Sequence, residues 1–311
     1  MRIILAVGAA SLAFVAVSAS AAPLTLSGNF LKVGISDAGT FGSNGSVSPG
    51  ILHDPTGTGT FGVNDYLTPG TPHDGYTLAY NGTSANNDNR SAFSGGFGST
   101  SPTLLVGAAA MGFANAATWT GSNASARITN SYFFNANDQR IKIVTTITAL
   151  TDLTSVAFAR SNDPDPDQNT SGSFTTNNQR GNLLFGIDDF IGAAGPVTGL
   201  TIGLLNLTSG FERTTQINGS CCSNIDPFTV LAHSGSDQGL LSFGDHGLNL
   251  AYRLGSLGAG DSITLTYAYV FGDKIDIVGG GVPEPSTWAM LIGGFGLVGA
   301  AARRRRTSVT A

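Results

Sequence analysis

Apolar and polar positions alternate along much of this chain, and two is the period of a half-buried β-strand. The cleanest run places Ile263, Leu265, Tyr267, Tyr269 and Phe271 on one face, with Ser262, Thr264, Thr266 and Ala268 on the other. Ile141, Ile143, Thr145, Ile147 and Ala149 repeat the pattern less cleanly. Turn residues 135–139 divide this second run from a strand over 128–134, and Thr151-Asp152 divides it from residues 153–160. These three segments are expected to form an antiparallel meander. Shorter strands are expected at 24–35, 76–81, 183–187, 197–207 and 248–254, with no long amphipathic helix among them. The expected fold is therefore all-β. An antiparallel β-sandwich, one large or two packed together, lets alternating sheets bury their apolar faces against each other.

Both ends depart from this pattern. Met1-Arg2, the apolar stretch 3–17 and the small-x-small site Ala19-Ser20-Ala21 have the order of a secretory signal peptide. A membrane-spanning reading is weaker, because the stretch is short and a cleavage site follows. Residues 1–21 are thus assigned to signal peptidase, and residues 22–278 to the sandwich body. After a Gly-rich linker at 279–282, residues 286–302 form 17 positions without charge. As a helix they would span about 25 Å, the lower edge of what a ~30 Å bilayer core requires. Gly293, Gly294, Gly296 and Gly299 weaken such a helix in water, although membrane helices tolerate glycine. Arg303, Arg304, Arg305 and Arg306 close the segment. Arginines resist translocation, so they are expected to stay cytoplasmic and leave the body outside. A permanent tail anchor and a buried core helix are the plainer alternatives.

The order Pro283-Glu284-Pro285, Trp288, apolar stretch and arginine cluster resembles the PEP-CTERM sorting tail of Gram-negative bacterial surface proteins. The resemblance covers about 25 of 311 residues. It implies that Pro283, Glu284 and Pro285 are read by an exosortase, a membrane protease-transferase that releases the body, while Arg303 to Arg306 hold the tail. It further implies passage through the inner membrane, a transient anchor, and a final place at the cell surface or outside it with exopolysaccharide. Bodies carried by such tails differ widely, so the resemblance is silent on catalysis.

Charge narrows the partners of the body. Residues 22–281 hold ten Lys and Arg against nineteen Asp and Glu, a net charge of −9. Nucleic acid is excluded as a partner, because phosphate neutralisation needs a basic stripe. The chain has 43 glycines and only 11% charged residues, while 41% hydrophobic residues suffice for a packed core. That balance suits a turn-rich extracellular β-domain.

Three local features carry candidate chemistry. Thr40-Phe41-Gly42-x-Asn44 with His53-Asp54 recurs as Thr60-Phe61-Gly62-x-Asn64 with His73-Asp74. Two copies are too few for a solenoid. A duplicated hairpin is the plain reading, and convergence of the four His and Asp side chains on a metal or sugar is the sharper one. Asp163, Asp165 and Asp167 alternate with Pro164 and Pro166, as ligands do at the start of a Ca²⁺ loop. An EF-hand is rejected, because Gln168 replaces its glycine and Phe174 its final glutamate. A non-EF Ca²⁺ site and a solvated, stiff loop both remain, with Asp188-Asp189 as further donors for the former. Cys221 and Cys222 are the only cysteines. In an oxidising compartment a vicinal disulfide is expected, against pairing with another chain or free thiols; adjacent Cα atoms ~3.8 Å apart make the ring tight.

Catalytic templates are missing. There is no Gly-x-Ser-x-Gly, His-Glu-x-x-His or phosphate loop, and His233 and His246 stand apart. Glu212 is the sole glutamate of residues 22–281, so a glycosidase would need aspartates for its carboxylate pair. Trp119, Tyr76, Tyr252 and Phe211 offer rings for sugar stacking, although aromatics at strand spacing usually belong to the core. The leading expectation is a non-catalytic surface or matrix protein associated with exopolysaccharide. A carbohydrate-binding module and a secreted glycan-active enzyme are the alternatives.

Overall fold

The computed structural model describes residues 23–42, 48–63, 65–70, 73–89, 96–236 and 239–279. The signal segment and the tail lie outside these residues. Among the described residues, seventeen strands follow one another. β1 (Leu24–Ser27), β2 (Leu31–Ile35) and β3 (Ile51–His53) form a small sheet in that order. β4 (His73–Tyr80) and β5 (Thr83–Asp88) begin a second sheet, and β6 (Thr103–Leu104), β7 (Asn115–Ser122), β8 (Ala126–Phe134) and β9 (Arg140–Ala149) begin a third. β10 (Leu153–Asp163) returns to the second sheet, whereas β11 (Thr176–Arg180), β12 (Phe190–Ala194) and β13 (Thr201–Asn206) extend the third. β14 (Glu212–Asn218) and β16 (Gly247–Leu257) complete the second; β15 (Leu241–Gly244) and β17 (Ser262–Gly272) complete the third. The second sheet has the order β14-β16-β10-β4-β5, and the third β15-β11-β12-β13-β17-β9-β8-β7-β6. Among the described residues helix is confined to single turns, α1 (Gln168–Ser171), α2 (Pro227–Leu231) and a 3₁₀ turn at Ala108–Met111.

An antiparallel all-β sandwich is thus present, as the alternation predicted, but its connections differ. β8 and β9 pair as a hairpin. β10 does not continue the meander: it crosses to the five-stranded sheet and lies between β16 and β4. The free edge of β9 is occupied by β17, whose register with it runs from Ser262↔Thr148 to Val270↔Arg140. The stretch 24–35 breaks at Gly28-Asn29 into two strands, and 183–187 is a turn with Leu183 exposed. Of 197–207 only Thr201–Asn206 is strand. Of the strands that alternation did not reveal, β12 (Phe-Ile-Gly-Ala-Ala) is buried at every position and so shows no alternation, while others are polar, such as Thr-Asn-Asn-Gln-Arg in β11 and Thr-Ser-Ala-Asn-Asn-Asp in β5. Neighbours recruit these polar strands through backbone hydrogen bonds rather than through an apolar face.

The inner faces meet in one hydrophobic cluster that includes residues of all three sheets, among them Val33, Phe158 and Tyr267. The outer face of β10 and β16 is also covered, since α2 packs Val230 and Leu231 onto Ala157, Ala159 and Ala251. Small residues on those strands let the helix approach. Inside the cluster lies one full charge pair. Arg160 on β10 is wholly buried and donates to Asp74 on β4 and, at 3.3 Å, to the Tyr269 hydroxyl on β17. Tyr269 in turn donates to Asp74, and the Phe41 amide donates to it at 2.7 Å. The guanidinium also sits among the rings of Phe41, Tyr76 and Tyr269, 5.6–5.9 Å from their centres. Burial opposes charge on Arg160, but Asp74 and the surrounding phenols outweigh it and hold the pKa well above its usual value.

Removing one partner of such a pair strands the other charge in an apolar interior. Asp74→Asn is expected to lower folding stability by about 3–5 kcal/mol, read as a lower urea midpoint. The Asp74→Asn/Arg160→Met double variant should lose less than the sum of the two single changes. Additive losses would show that the two side chains are not coupled.

Candidate functional site

A second group of buried ionisable side chains sits where β10 leaves the five-stranded sheet. Asp163 is the last residue of β10 and stands opposite His73 on β4. Pro164 and Pro166 then carry the chain past Asp165 to Asp167, which precedes α1. The Asp165 amide is tied to the Tyr66 carbonyl at 2.9 Å. A solvated loop was one expectation here. All three aspartates are instead buried, with 3%, 4% and 0% of their surface exposed for Asp163, Asp165 and Asp167.

Their surroundings divide them. Asp167 accepts from the Val197 amide at 2.6 Å and from both the amide and the hydroxyl of Thr198. It closes the turn before β13, fitting against Gly195, where a Cβ would fall 2.1 Å from its oxygen. Asp163 Oδ1 and Asp165 Oδ1, by contrast, are buried without a hydrogen-bond partner. Burial, followed by the nearby Asp245 charge, pushes the Asp163 carboxyl up to about 7. Burial, then Asp163, then Asp245 push Asp165 up to about 9. With little compensation, Asp165 favours its neutral form near pH 7, while Asp163 sits close to its titration midpoint there. Chemically, such a pair can hold protons, or it can exchange them for a hard cation.

Cys221 and Cys222 are bonded to each other beside this pair. Cys222 has a φ of 66°, in the left-handed region, and its Sγ lies 3.1 Å from Asp163 Oδ2. A disulfide sulfur carries no proton, so a protonated Asp163 must be the donor in any hydrogen bond across this contact. Among the described residues, the one set of three ligand-type side chains within 4.8 Å of one another is Asp163, Cys221 and Cys222. Oxidised sulfur is not a thiolate ligand. Asp165 and Asp167 do not join that set.

The remaining sequence candidates are dispersed. His53 bonds Tyr66 at 3.0 Å and Gln139 at 3.2 Å, while Asp54 caps its own loop, accepting from Thr56, Thr58 and Thr60. Burial would push Asp54 up, but those donors hold it well below the usual carboxylate range. Asp74 belongs to the Arg160 pair, so the two His-Asp copies lie in different sheets with different partners. Asp188 and Asp189 face Arg180 and Arg213, at 3.6 Å and 2.5 Å. Glu212 pairs with Arg253 at 2.7 Å. Trp119, Tyr76 and Tyr252 are core residues, which removes them as a sugar platform. Sequence reasoning missed Asp245 and the position of His73 opposite Asp163, since only tertiary pairing brings them to this end of the sheet. It also missed a bond between Ser242 and His246 Nδ1 at 2.7 Å across the turn that joins β15 to β16. That contact spans four residues, and among the described residues no carboxylate is bonded to the other ring nitrogen.

Residues 281–306 match the PEP-CTERM protein-sorting motif. Pro283, Glu284, Pro285 and Arg303 to Arg306 fall within the match, although they lie outside the described residues. No curated protein matches the chain in sequence. Among solved structures, heparan sulfate lyase HepC from Pedobacter heparinus is similar over 67% of this chain and 25% of its own, with 8% identity and a TM-score of 0.37. The Slr1438 protein from Synechocystis sp. PCC 6803 is similar over 86% of this chain and all of its own, with 10% identity and a TM-score of 0.37. The chain therefore spans a quarter of the length of the lyase. Neither likeness assigns an activity to this chain.

Raised carboxyl pKa values have a signed consequence for stability. Relative to an unfolded value of ~3.9, a protonated Asp163 or Asp165 favours the folded state. That stability is complete below pH 4 and is lost as pH rises through about 7 for Asp163 and about 9 for Asp165. The melting temperature is expected to fall between pH 5 and pH 9. Asp165→Asn should remove much of the decline. A flat profile for the unaltered protein would mean that both carboxyls titrate normally.

Proposed function

We propose that this chain is an exported surface or extracellular-matrix protein, non-catalytic and associated with exopolysaccharide, whose body is released by an exosortase. The observation that carries the reading is the sorting motif at 281–306, which begins just past the last packed residues of the body. Val278 is buried among Phe190, Leu205, Ala268 and Val270, and its carbonyl accepts from Asn182 at 3.1 Å. Val278 thus anchors the described end of the body just before the motif begins. Among the described residues no helix is long and apolar enough to cross a membrane, so the tail is the segment assigned to the anchor.

A non-catalytic role is supported by how the reactive side chains are engaged. Asp54, Asp74, Asp167 and Glu212 are all committed to loop caps or ion pairs, and both His53 ring nitrogens are hydrogen-bonded, to Tyr66 and Gln139. Asp163 and Asp165 are the exception. Within the same reading they form a Ca²⁺ position that stiffens the loop of an extracellular protein. Asp167 supplies the neighbouring turn rather than a ligand. Carboxylate oxygens suit a hard cation, and the ion would replace the protons that burial now retains.

Changing Pro283, Glu284 and Pro285 to alanine in a host with an exosortase should leave the body in the membrane fraction with its tail uncut. Normal release of that variant would overturn the sorting role.

Calcium should raise the melting temperature of the protein. Binding to the folded state alone contributes ~2.7 kcal/mol at a hundredfold excess over Kd, about 5–10 °C for a domain of this size. The rise should be larger at pH 8 than at pH 5.5, because protons and the ion compete for the same oxygens. Asp165→Asn should lose most of it, and an unchanged curve in millimolar calcium would show that the pair holds protons only.

A further inference from the structure

The outer face of the nine-stranded sheet carries an ordered field of hydroxyls. Thr120, Thr129, Thr146 and Thr264 stand in one row across β7, β8, β9 and β17. Thr120 and Thr129 are 3.0 Å apart, and Thr146 and Thr264 are 3.2 Å apart. The flanking rows add Thr148 with Ser262 at 2.8 Å and Thr118 with Ser131 at 3.2 Å. Strand spacing of ~4.8 Å and a same-face repeat of ~6.8 Å make this a two-dimensional lattice. Each hydroxyl has one donor and two acceptor positions, so pairing with a neighbour leaves capacity for a ligand.

Charge on this face has a distinct character. Arg127, Arg140 and Lys142 point the same way as the threonines of β8 and β9, by strand alternation. Among the described residues none of the three is ion-paired, whereas Arg160, Arg180, Arg213 and Arg253 each face a carboxylate. At one end of the lattice a pocket of about 390 Å³ is lined by Phe113, Phe133, Asp138, Arg140, Lys142 and Thr266, among others. Lys142 Nζ lies 5.8 Å above the Phe113 ring, and Phe133 packs on that ring at 5.0 Å. Asp138, the acid of the pocket, accepts from the Asn135 amide at 2.7 Å and so caps its own turn. A cationic pocket with an aromatic wall, opening onto a hydroxyl lattice, is unexpected on a body of net charge −9.

We infer that this face binds an acidic polysaccharide, with a sugar carboxylate held by Arg140 and Lys142 beside Phe113 and the neighbouring sugars laid along the threonine rows. Charge complementarity selects the occupant: unpaired cations attract a polyanion, and hydroxyl rows match a polyhydroxylated chain. A second copy of this chain fits poorly, because two such faces would bring their unpaired cations together. The inference rests on the exopolysaccharide association proposed above and names the surface and the chemical class of that glycan.

Binding of the full-length chain, purified in detergent, to alginate (a polyuronate) and to dextran (neutral) tests it. Wild type should bind alginate in a salt-sensitive manner and dextran much more weakly. R140Q/K142Q should weaken alginate binding about tenfold or more, since two charge-assisted contacts are lost. T146V/T264V should weaken it while keeping the salt dependence, and unchanged melting curves would show that both variants remain folded. Equal binding to dextran, no binding to alginate, or variants that bind as wild type would overturn the inference. Self-association abolished by the same substitutions would overturn it in favour of a second copy. Co-fractionation with the producing cell's own exopolysaccharide separates the two levels. If wild type and R140Q/K142Q both co-fractionate, the surface is wrong and the general function stands; if wild type does not, the function itself falls.

Discussion

The Arg160 guanidinium is a full positive charge with no access to water, and the arrangement of the sandwich around it follows from that condition. Its anion comes from β4, its phenol partner from β17, and the amide that helps to orient the anion from Phe41, which follows β2. The network around this one ion pair therefore ties the five-stranded sheet to the nine-stranded sheet and to the chain that follows β2. The chain at 36–41 is drawn into the core alongside it. Gly39 lies against the Trp119 ring with φ +67°, and its carbonyl accepts from the Tyr132 hydroxyl at 2.7 Å. The Ala38 carbonyl accepts from Tyr76 at 3.0 Å, and the Asp37 carbonyl from Trp119 at 2.8 Å. Several of the large buried aromatics thus serve twice, as apolar filling and as donors to a buried loop. Such a network gains its specificity from being nearly complete, since a buried polar group left unmade costs more than a made one contributes.

The same logic explains why aspartates a few residues apart behave so differently. Asp54 and Asp167 each meet backbone amides and threonine hydroxyls, and those donors hold the Asp54 carboxyl well below its usual range. Asp163 and Asp165 are flanked by Pro164 and Pro166, which have no N–H to offer. The prolines remove the donors that an aspartate turn would otherwise recruit, and the fold supplies Asp245 and a disulfide in their place. Burial first, and then the repelling charges of neighbouring carboxylates, raise the Asp163 and Asp165 pKa values rather than lower them. Unmet acid oxygens are therefore concentrated at one end of the five-stranded sheet, while the cations without partners at β8 and β9 lie on the other sheet.

Separation of these features suits a protein whose transport and working parts are distinct. The segment matching the sorting motif starts after Val278, the last buried anchor of the body. None of the acidic-end residues and none of the hydroxyl rows lies in that segment.

Much of this protein was legible from its residues alone. Order and charge identified the tail, because signals read by export machinery must be recognisable in an extended chain. Period-two alternation identified β9 and β17, turn residues marked out β10, and alternation gave the inward face of β17 correctly from Leu265 to Phe271. Adjacent cysteines likewise announced their own pairing. Connectivity was not legible. Nothing local in Thr151-Asp152 distinguishes a hairpin turn from a crossing between sheets; the difference arises because β17, more than a hundred residues away, takes the edge of β9. Polar strands such as β5 and β11 gave no signal, since their pairing is backbone chemistry common to every residue. Nor could spacing show that Asp167 is satisfied while Asp163 and Asp165 are not, or that threonines from four strands align in one row. Those properties depend on which backbone amides, charges and hydroxyls arrive from elsewhere, and only tertiary structure decides that.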